Sequence, residues 1–201
     1  MITIVDYKLG NLGSVLNMLN YLGIKAEITS DLEKIRNASK IILSGVGSFD
    51  TAMLNLDNMG LTKILNSKVK EDGIPILGIC LGMQIMSNSS EEGSQPGLGW
   101  IDANTVKFMG ENLRIPHMMW NYARIKKESR IFRDFDKNAK FYFAHSYFLE
   151  TNDLDLGIAT TVYGKEFVSV VEKGNILGVQ FHPEKSHKFG MKLLRNFSEN
   201  Y

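Results

Sequence analysis

The sequence has a single cysteine and no long apolar run. One cysteine excludes an internal disulfide bond and a structural zinc site of several thiolates, and we expect no metal and no cofactor. The apolar segments fall short of the roughly 18 residues that a membrane-spanning helix needs. The N-terminus carries Asp6, which does not fit the pattern of a signal peptide. These features favour a cytoplasmic protein that does not interact with membranes.

An excess of one charge is also lacking. The chain has 23 Lys+Arg and 22 Asp+Glu residues, for a formal net charge of +1. This balance argues against a surface for nucleic acid or for anionic membranes. The 201 residues are 44% hydrophobic and 22% charged, which is typical of a globular chain with a sizeable core. We expect residues 1–201 to form a single domain.

In the first half of the chain, short apolar segments alternate with segments of helical periodicity. A capping box of Ser30 and Glu33 is predicted to begin one short helix. Apolar strands that alternate with helices need cover on both faces, which is the pattern of an α/β fold with a doubly wound, mostly parallel sheet. The predicted strands are 2–5, 25–29, 40–43 and 74–79, and the other predicted helices are 12–22 and 61–70.

The second half differs, because strand candidates with turns between them replace the helical pattern. This pattern predicts an antiparallel addition in the second half of the chain, closed by a final helix from 187 to 197. The strand candidates are 100–108, 122–125, 140–143, 158–162, 167–172 and 175–180.

Cys80 stands where the segment 74–79 turns into a predicted helix, with Gly78 and Gly82 two residues away on each side. Glycines at this spacing permit the sharp turn, the nucleophile elbow, that presents a side chain above a sheet. The N-terminus of the helix would favour the thiolate, and the N–H of Leu81 would stabilise an oxyanion. The alternative is an inert buried cysteine between two glycines.

A thiol nucleophile needs a general base and a group that orients the base. His182 follows an apolar strand candidate, and Pro183 favours extended backbone at His182. Glu184 lies two residues on, where side chains share one side of an extended segment, so its carboxylate can hold the imidazole tautomer. The alternative is a surface histidine with a solvated Glu184. Together with Cys80, the pair indicates a Cys-His-Glu acyl-transfer enzyme.

A glycine-rich loop, Gly45-Val46-Gly47, follows the third predicted strand. Its tip should lie at the same carboxyl edge of the sheet as Cys80, where open α/β sheets bind ligands. Its backbone N–H groups could face developing negative charge. Glycine loops are common, and the residues alone do not define a substrate.

Six groups of residues carry a resemblance that runs from end to end. They are Asp6-Tyr7 with Gly10-Asn11-Leu12, Gly45-Val46-Gly47, Gly78-Ile79-Cys80-Leu81-Gly82-Met83-Gln84, Pro116-His117-Met118 with Trp120-Asn121, His145-Ser146-Tyr147, and His182-Pro183-Glu184. With them the chain resembles the class I glutamine amidotransferases, which have a flavodoxin-like sheet. Within that class it is similar to the glutaminase subunits of imidazole glycerol phosphate synthase, a histidine-pathway enzyme.

The resemblance implies the chemistry. Cys80 would attack the side-chain amide of glutamine, and His182 would carry the thiol proton to the departing ammonia. Glutamine would be bound by Gln84, by Glu92 near its amine, and by backbone around His145, Ser146 and Tyr147. The alternatives are that Gln84 faces solvent and that Tyr147 belongs to the core.

The resemblance also implies a heterodimer with a (β/α)₈-barrel synthase subunit, which uses the ammonia to make imidazole glycerol phosphate and AICAR. Asn11, Trp120 and Lys185 match the docking side of the family, although Trp120 could equally be a core residue. No nucleic acid or membrane partner is implied.

Three residues depart from the usual family pattern. Lys8 and Met119 stand where glycine is usual, and Ser44 stands where proline is usual. They leave the triad intact and bear on the partner. One alternative is therefore a paralogous glutaminase for a different amidotransferase, such as one in surface-sugar biosynthesis. Others are a stand-alone thiol hydrolase or peptidase, and a binding subunit without catalysis.

Overall fold

The computed structural model describes residues 1–136, 138–153 and 155–201. In these ranges the α-helices are α1 Leu12–Tyr21, α2 Leu32–Arg36, α3 Phe49–Asn58, α4 Leu61–Asn66, α5 Leu81–Gln84 and α6 His187–Asn200. The strands there are β1 Ile2–Val5, β2 Ala26–Thr29, β3 Ile41–Gly45, β4 Ile76–Cys80, β5 Ser89–Ser90, β6 Asn104–Lys107, β7 His117–Ile125, β8 Asn138–His145, β9 Tyr147–Glu150, β10 Gly157–Tyr163, β11 Lys165–Lys173 and β12 Ile176–Val179.

The strands form one sheet in the order β2-β1-β3-β4-β12-β11-β10-β7-β8. From β2 to β12 the neighbours pair in parallel, and from β12 to β8 they pair antiparallel. A short flap of β5, β6 and β9 joins at β11. The predicted doubly wound sheet with an antiparallel addition is confirmed, and β12 returns the end of the chain to the parallel half.

The two faces of the parallel half carry separate apolar cores. Neighbouring residues of β1 point to opposite faces, as pleating requires, so Ile4 packs in one core and Val5 in the other. Val15 of α1 and Leu193 of α6 lie in the core with Ile4, while Leu56 of α3 packs in the core with Val5. Helices therefore cover both faces, which explains why these strands are apolar throughout.

One local prediction needs correction, and one helix is missing from the predicted elements. The capping box of Ser30 and Glu33 is wrong, because α2 is capped by Asp31, whose Oδ1 accepts a hydrogen bond from Lys34 N at 3.0 Å. The helix α3 was not predicted, although its buried residues recur at helical spacing behind the N-cap Ser48. The predicted helix 61–70 is observed as α4 and a π-helical continuation, Ser67–Glu71.

No helix within the described ranges is both long enough and apolar enough to cross a membrane.

Candidate active site

Cys80 is the last residue of β4 and has φ +54° and ψ −109°. A positive φ is strained for a residue with a Cβ, and such strain concentrates at functional sites. Only glycine fits at the two flanking positions, because a larger side chain would clash with neighbouring backbone. A Cβ at Gly78 would lie 2.7 Å from Gly82 O, and a Cβ at Gly82 would overlap Leu43 O. The elbow conformation that the glycine spacing predicts is therefore present.

The helix after the elbow is shorter than the sequence analysis assumes. α5 is a single turn, Leu81–Gln84, and the Ser87 hydroxyl donates to Gln84 O just beyond its end. One turn aligns few peptide dipoles, so the helix contributes little to stabilising a thiolate. A thiolate at this position would therefore depend mainly on neighbouring side chains.

His182 is such a side chain, since it interacts with Cys80 by a hydrogen bond and by charge. Its Nδ1 lies 2.8 Å from Glu184 Oε1, and both side chains are only 2% exposed. Burial alone would lower its pKa, but hydrogen bonds and charge interactions with Cys80 and Glu184 raise the pKa of His182 to about 10. Nδ1 donates to the carboxylate, which leaves Nε2 for the sulfur. The predicted surface alternative for this histidine does not hold.

The backbone around His182 is fixed by the antiparallel addition. His182 N donates to Tyr142 O at 2.9 Å, and Ser186 Oγ donates to His182 O at 2.6 Å. Pro183 begins a 3₁₀ turn that carries Glu184 back toward the imidazole. The backbone of His182 is thus held between β8 and the start of α6.

Gln180 also lies in the candidate site, although the sequence motifs do not predict it there. It is fully buried, and its Nε2 lies 3.7 Å from Cys80 Sγ. Its Oε1 accepts a hydrogen bond from Gln84 Nε2 at 3.2 Å, and the same nitrogen donates to Tyr147 O at 3.0 Å. The sequence does contain a signal for this residue, because Gln180 is polar and stands between the apolar residues Val179 and Phe181.

The glycine loop lies beside Cys80. Gly45 is the β3 partner of Cys80 in the parallel register, and Leu81 continues the elbow directly. Val46 is half exposed and Gly47 has φ +143°, so the chain leaves the sheet at this point. The backbone N–H groups predicted to stabilise an oxyanion therefore belong to adjacent segments.

The predicted glutamine-binding residues are brought together around Tyr147. His145 Nδ1 donates to Tyr147 O at 2.7 Å, beside the bond from Gln84. Gln84 is buried, so the alternative that it faces solvent is wrong. Ser146 O accepts from Phe108 N at 3.1 Å, which ties this turn to the end of β6.

Glu92 approaches the same region from another segment. Its Oε2 accepts a hydrogen bond from Phe49 N, the first residue of α3, at 2.8 Å. Burial and then the charge of Glu92 raise the pKa of Tyr147. The carboxylate is therefore close to Tyr147, where a positively charged amine could be bound.

Two of the three predicted docking residues share one aromatic group. The Trp120 ring stacks on His187 with a centroid distance of 5.4 Å and an angle of 6°, and it meets Tyr142 edge-on. Lys185 Nζ lies over the Tyr142 ring at 5.9 Å. Trp120 is only partly buried, which argues against the core alternative. Asn11 is separate, as the exposed N-cap of α1.

The sequence pattern of the family Glutamine amidotransferase class-I matches residues 3–200. The chain belongs to the class I glutamine amidotransferases. This amidotransferase is 52% identical over 198 residues to imidazole glycerol phosphate synthase subunit HisH 2 of Methanococcus maripaludis, with 98% of each chain covered. It is 46% identical over 203 residues to subunit HisH of Bdellovibrio bacteriovorus, covering 99% of this chain and 100% of that one.

A solved structure described as a glutamine amidotransferase superposes with a TM-score of 0.77 over 98% of this amidotransferase and 97% of that chain, at 18% identity. This likeness supports the fold. Within the described ranges, no three His, Cys, Asp or Glu side chains group as metal ligands.

The departures from the family pattern can now be placed in this amidotransferase. Lys8 has φ +67°, the conformation glycine tolerates, and its backbone N–H and Nζ both bind the Asp6 carboxylate. Met119 is half exposed beside Met118 on β7, and Ser44 is buried within β3. Lys8 and Met119 therefore change the protein surface relative to the glycine that is usual in the family. Ser44 does not, because it is buried directly before the glycine loop.

Proposed function

We propose that this chain is the glutaminase subunit of an imidazole glycerol phosphate synthase in histidine biosynthesis, acting in the cytoplasm as one domain of residues 1–201. The observation that carries the proposal is the His182 imidazole held between Glu184 and the Cys80 sulfur at a strained elbow. Relatives named as subunits of that synthase, alike over nearly their whole length, support the pathway.

The reaction follows from the arrangement of these groups. The Cys80 sulfur attacks the side-chain carbonyl carbon of glutamine, and the His182 proton passes to the departing nitrogen, which leaves as ammonia. The resulting glutamyl thioester is attacked by water, whose proton His182 accepts, and glutamate is released. In both tetrahedral intermediates the oxyanion is stabilised by N–H groups of the Gly45–Gly47 loop and Leu81.

The substrate site of the proposal is the space beside Tyr147. Gln84 and the backbone of 145–147 would hold the glutamine side chain and carboxylate, and Glu92 would bind its ammonium group. Support comes from the convergence of Gln84 and His145 on Tyr147 O, which fixes this turn relative to the nucleophile.

The ammonia acceptor in the proposal is a (β/α)₈-barrel synthase subunit bound as a heterodimer. Met118 supports it, because it lies two residues before Trp120, on the same face of β7, and its side chain is 60% exposed. Exposed methionines beside a stacked aromatic pair are typical of an interface. Asn11 and Lys185 would contribute to the same docking side.

Glutaminase assays test the proposal. Glutamate formation is measured for the chain alone, with a histidine-pathway barrel subunit, and with that barrel plus its ribonucleotide substrate, which is the ammonia acceptor. We expect very slow hydrolysis alone and strong stimulation in the last mixture, because a free glutaminase would release ammonia without an acceptor. Full activity of the chain alone would contradict the coupling. Stimulation only by the barrel of another amidotransferase would favour the paralogue.

A further inference from the structure

The Tyr7 hydroxyl lies next to the glycine loop without a hydrogen-bond partner among the described residues. Its side chain is fully buried. Burial and then the nearby Cys80 raise the pKa of Tyr7, so the hydroxyl remains a neutral donor. A buried hydroxyl without a partner is unfavourable and rare in native proteins, which calls for an explanation.

The Tyr7 hydroxyl lies directly against Gly45 of the glycine loop. A Cβ at Gly45 would overlap Tyr7 Oη, so the hydroxyl occupies the space where a side chain at position 45 would lie. Tyr7 packs in the same core as Leu81 and Phe49, on the buried side of the loop. The Tyr7 main chain is held in place, since Asn55 Nδ2 donates to Tyr7 O at 3.0 Å.

The peptide group between Gly45 and Val46 is the first one beyond the β3–β4 register, which ends at Gly45 and Cys80. A peptide carries its oxygen and its N–H on opposite sides. When the oxygen points to the buried side, toward Tyr7, the N–H of Val46 points to the open side above Cys80. Glycine at position 45 permits the required change in dihedral angles.

We propose that Tyr7 is a positioning residue, whose hydroxyl donates to Gly45 O in the hydrolysing state and so holds the Val46 N–H toward the oxyanion. The inference rests on the proposed glutaminase function. The unpartnered hydroxyl of the free chain is then one half of a hydrogen bond that forms when the loop turns.

Contacts of the loop 6–11 offer a route to the partner. A Cβ at Gly10 would lie 2.9 Å from Gly45 Cα and 3.3 Å from Val46 N, so this loop packs directly on the glycine loop. Its last residue, Asn11, is on the predicted docking side. A partner that presses on Asn11 could thereby favour one orientation of the Gly45–Val46 peptide.

The test is the variant Tyr7→Phe in the complex with a histidine-pathway barrel subunit and the ribonucleotide substrate of that barrel. We expect kcat for glutamine hydrolysis to fall about tenfold, which is the effect of one hydrogen bond made in the transition state. KM for glutamine should stay within about twofold of the wild-type value. The Tm of the free chain should stay equal or rise, because the hydroxyl has no bond to lose there. A kcat equal to that of the wild type would overturn the inference.

The matched control is Tyr201→Phe. Tyr201 lies far from both Tyr7 and Cys80 in the sequence. Tyr201 Oη donates to Glu172 Oε1 at 2.8 Å and accepts from Ile131 N at 3.0 Å. We expect a lower Tm and an unchanged kcat for this variant. A loss of Tm in Tyr7→Phe as large as in Tyr201→Phe would also overturn the inference, since it would show a bond already made in the free chain. A wild-type complex without glutaminase activity would overturn the proposed function and this inference with it.

Discussion

His117 Nδ1 lies 2.9 Å from His145 Nε2 in the interior of the antiparallel addition. Burial lowers the pKa of His117 to about 4 and the pKa of His145 to about 3, so both rings are neutral near pH 7. Because Tyr147 O can only accept, His145 Nδ1 carries its proton. His117 Nδ1 must then donate to His145, and His117 Nε2 accepts from Asn121 Nδ2 at 3.2 Å.

The two histidines therefore link the surface strand β7 to the predicted glutamine site. His117→Phe should retain the stacking on Tyr163 and Phe143 but leave His145 Nε2 unpaired. We expect the free energy of unfolding to fall by about 1–3 kcal/mol and KM for glutamine to rise. The double variant His117→Phe/His145→Phe should cost less than the sum of the single changes, because neither ring then leaves a nitrogen of the other unpaired. Denaturant unfolding of the four proteins measures this, and strict additivity would contradict the pairing.

The nucleophile assignment predicts a specific loss in Cys80→Ser. The hydroxyl lacks the thiolate character that acyl transfer needs, so glutaminase activity should disappear in the assembled complex while partner binding remains. An electrophilic glutamine analogue should label wild-type Cys80 and leave the variant unlabelled, as mass spectrometry can show. Wild-type turnover in Cys80→Ser would mean that another group is the nucleophile.

The pair His182 and Glu184 predicts unequal effects. His182→Ala removes the group that carries the proton, and we expect kcat to fall by about 10²–10⁴-fold. Glu184→Gln should be milder, because an amide oxygen at Glu184 Oε1 can still accept from His182 Nδ1. Losses that are equal and negligible would point to another base.

The same pair predicts the protonation state of the imidazole. Since Cys80 and Glu184 raise the pKa of His182 to about 10, the ring should stay protonated well above pH 6.5 in the wild type. In Glu184→Gln the neutral amide removes one cause of that shift, so the ring should lose its proton at lower pH. Side-chain ¹⁵N NMR across pH 6 to 10 distinguishes the two proteins, and identical titrations would exclude a role of the Glu184 charge.

Local patterns predicted the parts of the site that depend on neighbours in sequence. The two glycines around Cys80 define the elbow by their spacing. His182 and Glu184 meet as predicted, but through the 3₁₀ turn that begins at Pro183 and not through the extended backbone that the sequence predicts. The contact between Gln180 and Cys80 was not predicted. Gln180 and Cys80 are 100 residues apart, and their contact depends on β12 lying next to β4, which strand patterns alone do not specify.

Errors within the predicted elements also have physical reasons. Ser30 and Asp31 are adjacent residues that both favour the N-cap position, and only the observed hydrogen bond to Lys34 decides between them. α3 mixes polar and apolar residues behind a glycine loop, so its periodicity is inconspicuous. The single turn of α5 follows an elbow whose glycines predict the turn but not the length of the helix.

The predicted substrate contact of Glu92 can be separated from its structural contact. Glu92→Gln keeps an oxygen that can accept from Phe49 N, so α3 should remain capped and the free energy of unfolding should change little. It removes the charge that would bind the glutamine ammonium group. A charge-assisted hydrogen bond contributes about 1.5–3 kcal/mol, so KM for glutamine should rise by about 10–100-fold with a smaller change in kcat.

The adjacent Glu91 provides a matched control for that prediction. Its Oε2 accepts from Lys107 N at 2.7 Å, and the residue is exposed. Glu91→Gln makes the same chemical change one residue away and should leave KM near the wild-type value. Steady-state kinetics of both variants in the assembled complex make the comparison. A similar rise in KM for both would indicate a general effect of negative charge near Tyr147, whereas no rise for Glu92→Gln would remove Glu92 from the substrate site.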